Sequence, residues 1–431
     1  MAYRRSSNAT WLMLIVLGTA SCSALQADEP IGLTDGDWPQ WRGQARDAVS
    51  PATNLLTNWP DDGPPLAWTA TGLGNGQSSV IVAGGSVYTL GQRDGVESLI
   101  ALDERDGHEI WSTRIGDGVP NSTPTFEGAF VYALGIKGDL VCASARSGKE
   151  SWRLNILETF GGSVMSNMGY CESVLVDGER VICTPGANDA VLVALNKKSG
   201  STIWKARLPE DAGPKGVDAA AYSSVVISEA CGVRQYVQFV GRGVIGVEAE
   251  SGNVLWTYNR VTTEHANVAT PAVQGDYVFC SACYGGGSAL IRIIRDGDKL
   301  RAEEVYYLEP KTLENHHGGM VIVGDYLYTG TGFSKGFPVC LQWKTGKQMW
   351  RPGRGPGLGS AAIMYADANL YFRYENGTTV LIAATPEEYI VRAKFDEPTN
   401  LGKAWSHPVI ANARLYLRDQ DVLNCYDVKR K

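Results

Sequence analysis

Apolar and polar residues alternate along most of the chain in short runs that are interrupted by Gly, Asp or Asn. The runs "VIVAGGSVYTL", "PTFEGAFVYAL" and "PAVQGDYVFCS" are typical, with one alternating segment on each side of a tight turn. Period-two alternation around a turn predicts an antiparallel strand hairpin with one buried face. Such hairpins begin near residues 78, 122, 172, 223, 269, 318, 360 and 406, so the pattern predicts eight of them.

A second phrase follows most of these hairpins, with a small, an apolar and a polar residue, then Gly and Trp at four-residue spacing. Its complete copies are Ala101 to Trp111, Cys142 to Trp152, Ala194 to Trp204, Gly246 to Trp256 and Cys340 to Trp350. The segments "EEVYYLE" and "EEYIVRAKF" take the same place without the Gly and Trp. Successive tryptophans of the first four copies are 41, 52 and 52 residues apart, which is the spacing of propeller blades.

Two hairpins per period make one four-stranded antiparallel blade, with strands A to D and the Trp on outer strand D. The last repeat, "LYLRDQDVLNCYDVKRK", lacks its strand D, and the upstream segment "GPPLAWTATG" offers a strand with Trp68. We therefore predict an all-β, eight-bladed β-propeller of four-stranded antiparallel blades. Its ring is closed by the N-terminal strand, which completes the C-terminal blade and removes both sheet edges.

The N-terminus predicts export. Arg4 and Arg5 precede an apolar stretch and then small residues, which is the order of a signal peptide. We predict a signal peptide over residues 1–27, an N-terminal extension over 28–63 and a single propeller over 64–431. The expected location is the periplasm or cell envelope, with lipid anchoring at Cys22 as an alternative, although Thr19 stands where a bacterial lipobox usually has Leu.

The net charge and the hydropathy of the chain limit the classes of partner that we expect. The net charge of -7, without a run of basic residues, excludes nucleic-acid binding as the main function. No later segment approaches the ~20 apolar residues that a transmembrane helix needs. We expect a monomer without a transmembrane segment in the mature chain, whose partner is an envelope protein or a small anionic ligand.

The phrase "ALDERDGHEIW" resembles the pyrroloquinoline-quinone-like (PQQ-like) repeat of quinoprotein dehydrogenase-like β-propellers, over about residues 64 to 428. Eight-bladed quinoprotein dehydrogenases share this repeat with the non-enzymatic propeller lipoprotein of the outer-membrane barrel-assembly machinery. The stretches "DWPQWRG", "NHHGG", "RYENG" and "LRDQDVLNCYD" are similar to exported bacterial propellers that are often labelled dehydrogenases. The resemblance implies the fold but not the activity, because the repeated residues are a packing device.

The cysteines separate into three groups. Cys142, Cys340 and Cys425 share the small-residue position of the second phrase, which predicts buried free thiols. Cys171 and Cys183 flank the turn "VDGER" and are the predicted disulfide in an oxidising compartment. The single "CSAC" motif, Cys280 to Cys283, leaves a redox or metal interpretation open but does not establish it.

Strand direction predicts which face binds a ligand. The D-to-A connections and the B–C turns share one face, here called the funnel face, and the A–B and C–D turns share the other, the glycine-turn face. The first position inside strand A reads Ser79, Thr123, Ser173, Ser224, Thr270, Gly319, Ala362 and His407 in blades 1 to 8. Either hydroxyls line a polar channel there, or the converging strands admit only small side chains.

Charged residues also cluster at the predicted funnel face. Six cations fall in or beside B–C turns: Arg93, Lys137, Arg242, Lys335, Arg373 and Arg418. They predict a cation-rich funnel for an anionic ligand, unless carboxylates nearby make them ordinary solvated salt pairs. The candidate funnel residues are Glu172, Asn267, His316, His317, Arg373, Glu375, His407, Arg418 and Asp419. The funnel-face histidines, which include His265, belong to different blades, so hydrogen bonding rather than a shared metal is expected.

Two functions remain open. One is an exported binding or assembly scaffold with contact loops such as "DDGPPLAW" and "LPEDAGPKGVDAA". The other, implied by the resemblance, is a PQQ-dependent alcohol dehydrogenase-like oxidoreductase, which would hold the quinone against Ca²⁺ and an adjacent-cysteine disulfide. Glu172, Asn267 and Asp419 are suitable Ca²⁺ ligand types. The chain has no adjacent cysteine pair, no "CxxCH" and no Trp clearly placed as a cofactor floor, which favours the scaffold.

Overall fold

The structure is a computed structural model that describes residues 1–2 and 29–430. Its strands form eight four-stranded antiparallel sheets, one per blade. The predicted all-β, eight-bladed propeller is therefore confirmed. The predicted signal-peptide core and the lipid anchor at Cys22 lie outside the described residues.

The strands follow the predicted A-B-C-D order in every blade. Blades 1 and 2 contain β2 Ile81–Ala83, β3 Ser86–Arg93, β4 Val96–Asp103, β5 Glu109–Asp117, β6 Thr125–Glu127, β7 Phe130–Leu134, β8 Asp139–Ser144 and β9 Glu150–Asn155. Blades 3 and 4 contain β10 Leu175–Asp177, β11 Arg180–Cys183, β12 Leu192–Asn196, β13 Thr202–Ala206, β14 Val226–Ser228, β15 Gln235–Val240, β16 Gly243–Glu248 and β17 Val254–Tyr258.

The second half of the ring repeats this order. Blades 5 and 6 contain β18 Ala272–Gln274, β19 Tyr277–Ala282, β20 Gly287–Asp296, β21 Lys299–Leu308, β22 Met320–Val323, β23 Tyr326–Thr331, β24 Phe337–Gln342 and β25 Lys347–Trp350. Blades 7 and 8 contain β26 Ala361–Ala366, β27 Asn369–Tyr374, β28 Thr378–Ala383, β29 Val391–Asp396, β30 Val409–Ala411, β31 Arg414–Asp419, β32 Val422–Asp427 and β1 Leu66–Ala70. A short helix, α1 Ile156–Phe160, and a 3₁₀ turn at Ala230–Gly232 lie in connections.

The ring closes as predicted. Strand β1 pairs antiparallel with β32, and Trp68 lies opposite Cys425. The Trp68 indole packs edge-on against Tyr416, with ring centroids 5.9 Å apart. Its Nε1 donates to the Glu104 carbonyl in blade 1 at 3.1 Å. Blade 8 is therefore completed by a strand that precedes blade 1 in the chain.

The repeated Gly and Trp form one packing device. In each complete copy the small residue pairs across the sheet with the Trp, as Ala101 does with Trp111 and Cys142 with Trp152. Where the following blade has the turn Gly, that Gly lies against the Trp, so a Cβ on Gly148 would be 2.5 Å from the Trp111 ring. Any larger residue would separate the two blades, and this is why the phrase recurs.

The cysteines are all free thiols among the described residues. Cys142, Cys340 and Cys425 are buried at the predicted position, which confirms that part of the prediction. The predicted disulfide between Cys171 and Cys183 is wrong. Strand pairing aligns Leu175 with Ile182, so Cys183 faces the residue before Leu175 rather than Cys171. Cys171 instead accepts from the Asn121 amide at 3.4 Å.

The first positions of strand A form a hydrogen-bonded belt around the axis. In blades 1 to 5, the hydroxyl at this position accepts a hydrogen bond from the backbone N–H of the same position in the preceding blade. The donors are, in order, His407, Ser79, Thr123, Ser173 and Ser224. The lengths are 2.6 Å to Ser79, 3.1 Å to Thr123, 2.9 Å to Ser173, 3.0 Å to Ser224 and 3.2 Å to Thr270. These hydroxyls provide acceptors for backbone N–H groups of the A strands, which have no neighbouring strand on the axial side.

Replacing Ser173 with alanine should lower the free energy of unfolding by about 1–3 kcal/mol, because it leaves the buried Thr123 N–H without its acceptor. Ser223 is the matched control, since its buried hydroxyl has no partner among the described residues. Denaturant unfolding of Ser173→Ala and Ser223→Ala measures the difference. Equal losses in the two variants would mean that the belt adds no stability.

The N-terminal extension closes the axial channel from the glycine-turn face. Trp38 bridges Val82 at the end of a strand A, and the backbone around Val49 bridges Tyr365 at the end of another. Between these anchors, the side chains of Arg42 and Arg46 reach up to the starts of other A strands. Residues 38–50 are called the plug below.

Candidate functional site

A pocket of about 400 Å³ opens on the funnel face at the mouth of the axial channel. The D-to-A connections form most of its wall, together with Tyr284 from the B–C turn of blade 5. The plug forms its floor with Trp41 and Arg42. The predicted funnel mouth is thus a closed-bottomed pocket rather than an open channel.

All four histidines expected on the funnel face line this pocket: His265, His316, His317 and His407. His316 is fixed by Ser360 Oγ at 2.6 Å from its Nδ1 and by the Tyr284 hydroxyl at 3.1 Å from its Nε2. Burial lowers the pKa of His316, and lowers the pKa of His317 well below its usual value. Both imidazoles are therefore neutral at pH 7.

His407 joins the pocket wall to its floor. Its ring centroid lies 4.5 Å from that of Trp41, and its Nε2 donates to the His317 carbonyl at 3.2 Å. Burial lowers the pKa of His407 to about 3, and the Arg42 guanidinium adds to the effect. His407 therefore acts as a neutral hydrogen-bonding group at pH 7.

Arg42 is the buried cation of the floor. Its Nη2 donates to the carbonyls of Met320 and, at 3.3 Å, of Asp47. Its Nε and Nη1 have no partner among residues 29–430. A Cβ on Gly319, whose φ is +77°, would lie 2.0 Å from Nη1, so the glycine at this position makes room for the guanidinium. Burial lowers the pKa of Arg42 to about 10, and the side chain stays charged at pH 7.

Arg46, in the same plug, bonds to strand carbonyls with both of its terminal nitrogens. Its Nη1 donates to the Val225 carbonyl at 2.7 Å, and its Nη2 donates to Ser173 and Val174 carbonyls at 2.6 and 3.0 Å. It does not belong to the pocket lining. These bonds satisfy carbonyls of the axial strands that no neighbouring strand reaches.

Arg373 and Arg418 do not lie on the funnel surface, which corrects the expectation of exposed cations. Arg373 is fully buried and forms a two-pronged ion pair with Glu397, with bonds of 2.7 and 2.5 Å, and also donates to Ser406. Arg418 is buried and donates to Thr89 Oγ1 and to the Leu90 carbonyl of blade 1. Both guanidiniums join neighbouring blades.

Other expected cations of the funnel are engaged in ordinary salt bridges. Arg93 pairs with Glu109 at 2.8 Å, and Arg242 pairs with Asp218 at 2.5 Å. Neighbouring carbonyls and carboxylates thus occupy the four guanidiniums expected in the funnel, whereas Lys137 and Lys335 are exposed and lie outside the pocket lining. Within the described chain, Arg42 is the one Lys or Arg in the pocket lining.

The residues proposed as Ca²⁺ ligands do not form a site. Glu172 is buried and accepts Thr184 N at 2.8 Å, and burial raises its pKa to about 8. Asn267 accepts Thr263 N at 3.1 Å and donates to Val240, while Asp419 accepts Leu401 N at 2.7 Å. Each side chain organises its own loop. Within residues 29–430 no Asp or Glu lines the pocket, so its donor set does not fit a quinone held against Ca²⁺.

Glu375 lies at a second cavity on the funnel face, beside the first. It pairs with Lys403 at 2.8 Å and accepts Ser360 N at 3.2 Å. Phe333 and Leu358 line the same cavity. This outer cavity is more open than the first, and its lining combines these apolar side chains with polar ones such as Asn376.

Other metal-type clusters lie away from the pocket. Cys280 and Cys283 are buried, and burial raises the pKa of Cys283 to about 12, which opposes thiolate formation. Asp103, Asp106 and His108 come together on the glycine-turn face, where Asp103 is already bonded by its neighbour Arg105. Neither group contributes to the funnel.

Trp41, Arg42 and Arg46 were missed by the sequence analysis. The motif "DWPQWRG" was noted only as a family resemblance, although two tryptophans and two arginines lie within nine residues there. Arg42 and Arg46 have positive φ values of 61° and 59°, so the plug turns sharply and presents both side chains to the channel. A conspicuous aromatic and basic segment before the first blade was the available signal.

Comparison with known proteins gives a family match and two relatives. The family described as outer membrane protein assembly factor BamB matches residues 95–352. BamB of Salmonella typhimurium is 31% identical over 107 residues, which cover 24% of this chain and 27% of that protein. BamB of Burkholderia pseudomallei is 25% identical over 315 residues, which cover 60% of this chain and 74% of that protein.

A solved structure supports the fold alone. A europium-containing methanol dehydrogenase superposes with a TM-score of 0.63 at 12% identity, covering 89% of each chain. The first of the two relatives above is matched over about a quarter of its length. Across the described residues, no helix is long and apolar enough to cross a membrane.

Proposed function

This chain belongs to the family of outer membrane protein assembly factor BamB, and on that premise we propose that it is an exported scaffold that binds another envelope protein through its funnel face. Export through residues 1–27 and residence in the periplasm or cell envelope are parts of the proposal. The partner is a protein that takes part in the assembly of outer membrane proteins, as the names of the relatives suggest.

The observation that carries the proposal is the apolar rim of the funnel face. Large apolar side chains are exposed in its D-to-A connections and B–C turns: Val119, Leu157, Met168, Val217, Tyr284, Phe333, Leu358 and Leu401. Among the described residues, Ile390 in the C–D turn of blade 7 is the one exposed side chain of this size in an A–B or C–D turn. Exposed apolar side chains that gather on one face of a protein are typical of an interaction surface.

The rim is most pronounced over blades 5 to 7. Tyr284 and Phe333 stand at the tips of neighbouring B–C turns with positive φ values of 57° each, and their ring centroids are 5.2 Å apart. Phe333 also stacks on His316 at 5.7 Å, and Leu358 is 72% exposed beside it. Aromatic side chains that are held rigidly at a surface are typical anchors of protein interfaces.

The pocket does not favour the alternative function. A quinone-dependent dehydrogenase needs ligands that hold the quinone's charges, and the candidate ligands for Ca²⁺ are committed to backbone N–H groups of their own loops. The exposed apolar side chains of the rim instead favour protein binding. We therefore conclude in favour of the scaffold.

Replacing both Phe333 and Leu358 with serine should lower the recovery of outer membrane assembly proteins with the tagged chain by about tenfold or more. Loss of two interface anchors of about 1–2 kcal/mol each gives that factor. The measurement is affinity purification from envelopes of the native bacterium with quantitative mass spectrometry. Melting should change little, because both side chains are exposed.

Ile110→Ser with Ile203→Ser is the matched control, because both isoleucines are exposed to 44–45% on outer strands away from the funnel face. The control should recover the assembly proteins at the wild-type level. Equal recovery by the rim variant, or recovery lost only in the control, would show that the funnel face is not the docking surface.

A further inference from the structure

The floor of the axial pocket has a fixed positive charge with unused hydrogen-bonding capacity. Arg42 is held from below through Nη2, while its Nε and Nη1 have no partner in the described chain. A buried guanidinium with unsatisfied donors is costly unless an acceptor reaches it. Gly319, the pocket residue over Nη1, has no side chain that would cover the guanidinium.

The wall above this charge is made mainly of flat rings. Trp41 and His407 lie at the bottom of the pocket, and Tyr284 lies at its mouth. On one side, the ring centroids of Trp405 and His317 are 5.2 Å apart. His317 Nε2 is a second buried polar atom without a partner in residues 29–430. Flat aromatic walls favour a planar apolar body, which stacks on them or meets them edge-on.

The charge of the pocket lining also limits the charge of the ligand. No Asp or Glu of the described chain lines the pocket, and burial keeps His316, His317 and His407 neutral at pH 7. Among residues 29–430, Arg42 is the one Lys or Arg in the lining, and the nearby carboxylate of Asp47 lies outside it. The volume of about 400 Å³ is within the range of small-molecule sites. One charge calls for one carboxylate, since further carboxylates would be buried without a partner.

We propose that this pocket binds a small aromatic monocarboxylate, with its carboxylate directed at the Arg42 guanidinium and its ring system between the aromatic walls. The proposal does not depend on the docking function, because Arg42, Trp41 and His407 lie at the bottom of the pocket and are not part of the exposed rim. It also requires no metal ion.

The first test compares 2-naphthoate with its neutral isostere 2-naphthamide on the wild-type protein by isothermal titration calorimetry. The two probes have the same ring system and nearly the same shape, so they differ in the charge that meets Arg42. A charge-assisted bond predicts that the carboxylate binds about tenfold to a hundredfold more tightly. Equal affinities, or no binding of either probe at millimolar concentration, would overturn the proposal.

Arg42→Met should abolish the preference for the carboxylate, whereas Arg46→Met should retain it. Arg46 is the matched control because it is an equally buried plug arginine that bonds to strand carbonyls and is itself absent from the pocket lining. Melting curves report how far each variant loosens the plug. A preference that survives in Arg42→Met, or that disappears in both variants, would contradict the assignment to Arg42.

Trp405→Ala keeps the test decisive if the arginine variants do not fold, because Trp405 is only half-buried. The variant should weaken 2-naphthoate and 2-naphthamide by the same factor, since it removes a ring contact and no charge. Unchanged binding of both probes would place them outside the pocket. PQQ is the final probe, and Ca²⁺-dependent binding of PQQ that exceeds the affinity for 2-naphthoate would also overturn the proposal.

Discussion

A chain that lacks residues 28–71 should aggregate or lose its cooperative melting transition. The deletion removes β1, which is the outer strand of blade 8, and with it the pairing of Trp68 with Cys425. It also removes the plug, whose arginines satisfy axial carbonyls in blades 3, 4 and 6. The open edge of β32 and the apolar surface under the lost indole would then seek other chains.

A single substitution separates ring closure from the loss of a long segment. Trp68→Ala should lower the free energy of unfolding by about 3–5 kcal/mol, because the buried indole packs on Tyr416 and bonds to blade 1. Leu66→Ala on the same strand should change it by only about 0.5 kcal/mol, since Leu66 is 52% exposed. Denaturant unfolding compares the two variants. A truncated monomer with unchanged melting, or equal effects of both substitutions, would refute closure by β1.

Arg373→Gln should destabilise the protein by about 3–5 kcal/mol, because it leaves the fully buried Glu397 carboxylate without its cation. The guanidinium also donates to the carbonyl of Arg418 and to Ser406, so blades 7 and 8 lose several contacts at once. The sequence analysis placed Arg373 among the cations of the funnel face, where the loss of a solvated charge would cost little stability. Burial reverses that expectation.

Two further variants test the ion pair itself. Lys403→Gln removes the exposed partner of Glu375 and should cost at most about 1 kcal/mol, which makes it the control for loss of a surface pair. Arg373→Met combined with Glu397→Leu should recover much of the stability lost in Arg373→Gln, since no charge is then buried alone. Thermal and denaturant unfolding of all three give the comparison. If Arg373→Gln were no worse than Lys403→Gln, Glu397 would not depend on Arg373.

The candidate site was only partly accessible from the sequence. The histidines were predicted on the funnel face because strand direction assigns each connection to a face, and His316, His317 and His407 do line the pocket. Arg373 and Arg418 were assigned to the same face by the same rule, yet they are buried. Strand topology gives the end of the blade at which a residue lies, but not whether its side chain turns to solvent or to the next blade.

The architecture of the propeller is encoded by local patterns in the sequence. Alternation with period two, a turn residue in each hairpin and a Gly and Trp at fixed spacing specify the strands, the blade count and the pairing of Ala101 with Trp111. The unfinished last repeat specified the closure through Trp68. Each of these features depends on residues that are neighbours within one repeat, or on counting repeats, so the amino-acid sequence alone determined them.

The chemistry of the axis was decided by the tertiary structure. Arg42 and Arg46 lie before the first blade, and their partners Met320, Val225 and Ser173 are more than a hundred residues away. The innermost strands around an axis have backbone carbonyls that no neighbouring strand reaches. These buried carbonyls need hydrogen-bond donors from another part of the chain. Because this demand arises only once eight blades surround one channel, no pattern within a single repeat records it.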